Sequence, residues 1–219
     1  GERIGLESAP LKAILTALEQ TYCSSVGIEY KFVRTPEVLN WLEKRMESCR
    51  NSPETPLEEQ LHHLKKINEA VHFENFLHTR FVGQKRFSLE GSEAIIPALD
   101  TIVEKGVLFG VKEYVIGMAH RGRLNVLTSI MGKTYEDVFM EFDGKLAGDE
   151  DFEGDVKYHM GHSCDRLVRT GETVHLSLTP NPSHLEAVNP VVAGISRGKI
   201  DRRYQGDVKK LVPILIHGD

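Results

Sequence analysis

The sequence predicts an α/β protein, with a helical segment over residues 1–80 followed by a sheet of parallel strands alternating with helices over 81–219. Three observations predict it. Apolar residues recur at helical spacing through the first 80 residues. Three short runs rich in β-branched and aliphatic residues then alternate with further helical patterns, as in a sheet built by crossovers. Each of those runs also delivers polar residues at its C-terminal end.

The elements follow in order. Leu11, Ile14, Leu15 and Leu18 fall at i, i+3, i+4 and i+7, an amphipathic helix entered through Ser8 and Pro10. Trp41, Leu42 and Met46 continue a second helix after Pro36. Residues 49–56 (CRNSPETP) read as a linker. Thr55-Pro56-Leu57-Glu58 has capping-box spacing, with Pro at the first helical position, where its missing N–H costs nothing. The helix it opens carries Leu61, Leu64 and Val71 on one face and runs to about Leu77.

From Arg80 to Gly91 the chain is basic and aromatic. Ile95, Leu99, Ile102 and Val103 mark a helix over 92–105, which Gly106 is expected to end. Tyr114-Val115-Ile116 is the first strand, followed by a helix through Leu124, Leu127 and Met131 and another around 135–142. An acidic stretch over 144–155 reads as a mobile, solvated loop. Residues 174–178 (VHLSL) and 211–216 (LVPILI) are the second and third strands. Ser183 and Glu186 form another capping box, and Asn189-Pro190 the cap and first turn of the intervening helix.

Composition narrows the function classes. Apolar content of 40% and charged content of 27% are those of a globular chain. A net charge of −5 gives no global field for nucleic acid. No apolar run approaches the roughly 20 residues that span a bilayer, and no signal-peptide pattern opens the chain. The three cysteines are widely spaced and read as free thiols in a reducing compartment. The first residue is not Met and the last strand ends three residues before the terminus, so a fragment of a longer polypeptide is expected.

His120-Arg121, Asn181 to His184, and His217-Gly218-Asp219 stand at three strand ends. In open α/β sheets, ligands bind in the crevice beyond the carboxyl ends of the strands, so these loops are expected to converge on an anionic ligand. Residues 113–125 (EYVIGMAHRGRLN) hold the basic wall of that crevice. A Gly-Asp pair closing a strand suits a hard cation such as Mg²⁺.

Other motifs weigh less. His159, His162 and Cys164 offer three zinc ligands without a clear fourth. Alternatively, one of these histidines faces the crevice as an acid–base group, or His162 is a packed loop residue. Asp149, Asp151, Glu153 and Gly154 imitate an EF-hand, but Met160 stands at the twelfth position, which rules against calcium. GxGxxG, GxxxxGK[ST] and GxSxG are absent.

Five longer segments carry a family resemblance: 86–91 (RFSLEG), 117–126 (GMAHRGRLNV), 154–161 (GDVKYHMG), 181–186 (NPSHLE) and 216–219 (IHGD). With them the chain resembles the E1 component of the 2-oxoglutarate dehydrogenase complex, a thiamine-diphosphate enzyme family of the tricarboxylic acid cycle, over essentially its whole length. The resemblance implies a truncated, Rossmann-like diphosphate-binding domain over 81–219, with thiamine diphosphate and Mg²⁺ as cofactors. His120 is matched to a catalytic histidine at the substrate and cofactor centre, and Arg121 to a diphosphate-binding arginine. His159 and Ser163 are matched to positions that hold the 2-oxo acid's carboxylates, His159 also as a catalytic residue. Leu185 is matched to a residue packed near the thiamine, and Asp219 to the aspartate that binds Mg²⁺.

The implied reaction is oxidative decarboxylation of 2-oxoglutarate with succinyl transfer to the lipoyl group of E2. A 2-oxoadipate dehydrogenase or 2-oxoglutarate decarboxylase relative is the alternative within the enzyme class, and an isolated non-catalytic module is the alternative outside it. Lys157-Tyr158-His159 favours 2-oxoglutarate. The rest of the Mg²⁺ motif, and a second domain whose Glu acts across a homodimer interface, are not in the sequence, so the 219 residues alone are expected to be inactive. The resemblance also implies a cytoplasmic enzyme in a bacterium, or a mitochondrial-matrix one in a eukaryote.

Overall fold

A computed structural model describes residues 5, 6, 8–143, 159–181 and 184–218. Two compact units are present, Gly1–Gln60 and Leu61–Asp219. In the first, α1 (Leu11–Tyr22) and α2 (Pro36–Cys49) bury Ala17, Thr21 and Met46. The Tyr22 hydroxyl donates to Glu47 at 2.8 Å, and Asn51 donates to the Thr21 carbonyl at 2.8 Å. Pro36 occupies the first position of α2, as its fixed φ allows.

Among the described residues, the second unit is built on four strands in the order β2-β3-β1-β4. They are β1 (Glu113–Met118), β2 (His162–Leu167), β3 (Thr173–Leu178) and β4 (Leu211–Ile216). β1 is parallel to both neighbours, with Glu113 opposite His175 on β3 and Leu211 on β4. All six β1 residues are buried, which explains an apolar run without alternation. The α/β class and the three parallel strands are as the sequence predicts.

β2 is the departure. It runs antiparallel to β3, with His162 opposite Leu178, so the sheet is mixed. HSCDRL has little β-branched or aromatic content, so local pattern does not mark it as a strand. Its strand form comes from pairing with β3 through a short turn, in which the Val168 N–H donates to Glu172 at 2.9 Å and Gly171 takes φ 88°.

Helices cover both faces. α3 (Leu57–Arg80), α4 (Ile95–Leu108), α5 (Arg123–Ser129) and α6 (Tyr135–Phe142) lie to one side. From them Phe73, Leu77, Leu99, Val103, Leu127 and Val138 join Tyr114, Ile116, Leu176 and Leu178 in the main core. On the other face α7 (Val188–Arg203) packs Val188, Val192 and Ile200 on Val115 and Leu211. Gly117 permits that approach, since a Cβ there would lie 2.5 Å from Val192 Cγ2.

Gly106 does not end its helix. α4 continues to Leu108, because the residue serves packing: a Cβ would fall 1.7 Å from the Tyr114 hydroxyl, which donates to the Ile102 carbonyl at 2.9 Å. Gly110, at φ 83°, closes the helix instead. Thr134 caps α6, its hydroxyl accepting the Asp137 N–H at 3.1 Å. The acidic stretch 144–155 and its rejected EF-hand lie outside the described residues. No helix among the described residues is long and apolar enough to cross a membrane.

Candidate functional site

Because β1, β3 and β4 are parallel, their carboxyl ends share one edge of the sheet, and β2 begins at that same edge. His120 and Arg121 follow β1, Thr179 to Asn181 follow β3, and His217 follows β4. His159 to Gly161 lead into β2.

The β1 turn is held from several sides. The His120 ring lies 3.9 Å from the Phe87 ring, tilted by 48°. Gly122 donates its N–H to the Phe87 carbonyl at 2.9 Å, and Arg123 donates its own to His120 at 3.1 Å. Gly122 sits at φ 74°, and a Cβ there would stand 2.5 Å from Leu89 Cδ1. The 86–89 segment is fixed in turn by buried Glu74. That carboxylate accepts from Arg86, from the Leu89 N–H and from Asn125, each at 3.1 Å. The basic-aromatic stretch after Arg80 is thus the backing of His120. His120 is half-buried, whereas Arg121 is exposed.

Arg123 joins the strand ends. It is fully buried, and burial lowers its pKa to about 10, so it remains protonated at neutral pH. Its guanidinium donates to the carbonyls of Thr179 and Met160 at 2.7 Å each, and of Met118 at 3.3 Å. Asn181, also buried, donates its N–H to the His159 carbonyl at 3.0 Å. His159 is thereby brought to the β3 end. Gly161 is close-packed, since a Cβ would meet the Leu178 carbonyl at 2.9 Å.

At the end of β4, His217 Nε2 pairs with Asn189 Oδ1 of α7 at 2.6 Å. Its Nδ1 is buried and has no hydrogen-bond partner among the described residues. Leu185, ahead of α7, is 61% exposed. Ser183, Lys157, Tyr158 and Asp219 lie outside the described residues, so the expected Mg²⁺ ligand has no described position.

Strand alternation sends neighbouring β2 residues to opposite faces. His162 has its pKa lowered by burial and by nearby Lys133, against the opposing pull of Asp137 and Glu141. Cys164, two residues on, has its thiol pKa raised by burial and by Asp165. Among the described residues, no three His, Cys, Asp or Glu side chains could hold one metal ion. Ser163 faces the other way. Its Oγ lies 2.9 Å from His175 Nε2, and His175 Nδ1 lies 2.6 Å from Asp165 Oδ1.

Sequence reasoning singled out His120, Arg121, His159, Ser163 and Leu185 but missed Arg123, His175 and Asp165. An arginine ahead of a wholly apolar helical pattern was the available signal for Arg123. For His175 and Asp165 it was alternation on paired strands, unreadable without β2.

No protein-family model matches the chain. Among curated proteins, it is similar to the 2-oxoglutarate dehydrogenase E1 component of Cupriavidus necator, 46% identical over 215 residues, or 98% of the chain and 22% of that protein. The Azotobacter vinelandii protein of the same name is 46% identical over 216 residues, covering 99% of the chain and 23% of the relative. That of Brucella ovis is 44% identical over 227 residues, covering 99% and 22%. The chain therefore spans a little over a fifth of the length of the curated relatives it matches.

Proposed function

Since nearly the whole chain is homologous to one segment of the 2-oxoglutarate dehydrogenase E1 component, we propose that its carboxyl-edge crevice is one wall of a thiamine-diphosphate and 2-oxo acid site. The proposed reaction is decarboxylation of 2-oxoglutarate, with succinyl transfer to the lipoyl group of an E2 partner. The convergence of His120, Arg121, His159 and His217 on one sheet edge is the observation that carries this reading. Such donors suit a ligand bearing carboxylates and phosphates.

The donor set fits the cofactor as well. Exposed Arg121 offers a cation to a diphosphate, and the unpartnered Nδ1 of His217 leaves one polar atom at the β4 end to be satisfied. Arg121 and Leu185 would hold thiamine diphosphate, and Asp219 would ligate Mg²⁺. When bound, the cofactor supplies the nucleophilic carbon and the electron sink for loss of CO₂.

The chain's own groups do the rest. His120 and His159 are donors for the substrate's carboxylate and for a developing oxyanion, and histidine exchanges protons near neutral pH. Phe87 packs against the His120 ring and restrains its orientation. Ser163 adds a hydroxyl for the second carboxylate. A second subunit is proposed to complete the site, as the family resemblance implies for the full-length homodimer.

A hybrid tests this: residues 1–219 replace the matched segment of the Cupriavidus necator protein, and CO₂ release from 2-oxoglutarate is followed. Turnover with thiamine diphosphate and Mg²⁺ is expected. A hybrid that folds and assembles yet releases no CO₂ would overturn the proposal.

A further inference from the structure

The Asp165–His175–Ser163 chain controls which hydrogen bonds Ser163 can make. Asp165 accepts at 2.6 Å, so the His175 proton sits on Nδ1. In neutral His175, Nε2 is then a bare acceptor, and at 2.9 Å it takes the single hydrogen of the Ser163 hydroxyl. Ser163 can then only accept. An ionised carboxylate can also only accept, so Ser163 must give up its bond to His175 to hold one. Protonated His175 reverses this, since Nε2–H donates to Ser163 Oγ and frees the Ser163 O–H for a carboxylate.

From this we infer that His175 and Asp165 are positioning residues that gate Ser163, so that Ser163 binds a carboxylate of the substrate more tightly when His175 is protonated. The inference rests on the carboxylate-holding role proposed for Ser163. A cavity of about 380 Å³ lies beside the hydroxyl, lined by Gly161, Ser163, Ser177, Pro180, Ile195 and Lys199. It has room for a carboxylate arm. His175 is 31% exposed and Asp165 70% exposed, so the pair exchanges protons freely with water.

Asp165 comes from β2, and Glu113 of β1 stands opposite His175 in register. The Glu113 carboxylate is answered by Lys199 and Arg203 and by the Tyr204 hydroxyl of α7. Lys199 also donates to the Ser177 hydroxyl at 3.1 Å. Carboxylate binding therefore favours proton uptake whenever His175 starts neutral.

The test uses the Cupriavidus necator hybrid, which supplies the rest of the site, with glutarate, a non-reacting dicarboxylate, titrated calorimetrically at pH 5.5 and 8.5. The diagnostic quantity is the ratio of the two affinities, compared between proteins, so that pH effects from other groups cancel. His175→Gln offers Ser163 a permanent N–H donor. The ratio is expected to be at least tenfold larger in the unmodified hybrid than in His175→Gln. Asp165→Asn, at an exposed position, is expected to move the loss of binding to lower pH. Equal ratios in the unmodified hybrid and His175→Gln, or an unmoved profile in Asp165→Asn, overturn the gate while leaving Ser163 as a ligand. Unchanged glutarate affinity in Ser163→Ala, or no binding at either pH, overturns the underlying role and the gate with it.

Discussion

Arg123 Nη2 lies 2.7 Å from the carbonyl oxygen of Thr179, so a guanidinium from the helix after β1 closes the end of β3. The same nitrogen reaches Met160 at 2.7 Å. The relative positions of His120, His159 and Asn181 thus depend on one buried cation. Arg123→Met would leave the carbonyls of Met118, Met160 and Thr179 without this donor, each loss costing about 1–3 kcal/mol before the saving in buried charge. The expected net destabilisation is about 2–4 kcal/mol, read as a lower urea midpoint. An unchanged midpoint would show that the carbonyls find other partners.

Gly122→Ala is expected to disturb the turn that carries His120. The position needs φ 74°, and the new methyl would lie 2.5 Å from Leu89 Cδ1. Left-handed backbone costs a non-glycine residue roughly 1–2 kcal/mol, and crowding adds to it. A fall in Tm of about 2–4 °C per kcal/mol follows for a chain of this size. Thermal melting checks it, and an unaltered Tm would mean that Leu89 yields freely.

Asp100 gives a pH dependence. Burial alone would raise its pKa, but His62 at 2.6 Å, Arg166 at 2.5 Å and Lys66 at 3.5 Å outweigh burial and hold it below its ordinary value of 3.8. A carboxylate shifted downward contributes stability that is fully present above its unfolded pKa and is lost as pH falls through the folded one. Asp100→Asn is expected to cost about 3 kcal/mol at pH 7, as for a broken buried ion pair. The gap to the unmodified protein should narrow as the pH drops below 3.8. Urea titrations from pH 7 to pH 3 measure it, and a gap constant over that range would contradict the network.

How far the sequence discloses this arrangement varies by element. β1, β3 and β4 are legible because each is rich in β-branched or aliphatic residues with turn residues behind it, and parallel alternation places their ends together. His120 and Arg121 are legible for the same reason. β2 is not, since HSCDRL becomes a strand only through its pairing with β3. Gly106 reads as a helix end, yet its space is taken by Tyr114, eight residues on in sequence. The Ser163–His175–Asp165 contact depends on antiparallel register, which local pattern does not encode.

The most direct measurement is kcat of the Cupriavidus necator hybrid carrying His120→Ala. Loss of an acid–base or oxyanion donor costs on the order of 10²-fold or more. The account predicts a fall of that size with the protein still folded and assembled. Turnover equal to that of the unmodified hybrid would contradict the placement of His120 at the reacting centre.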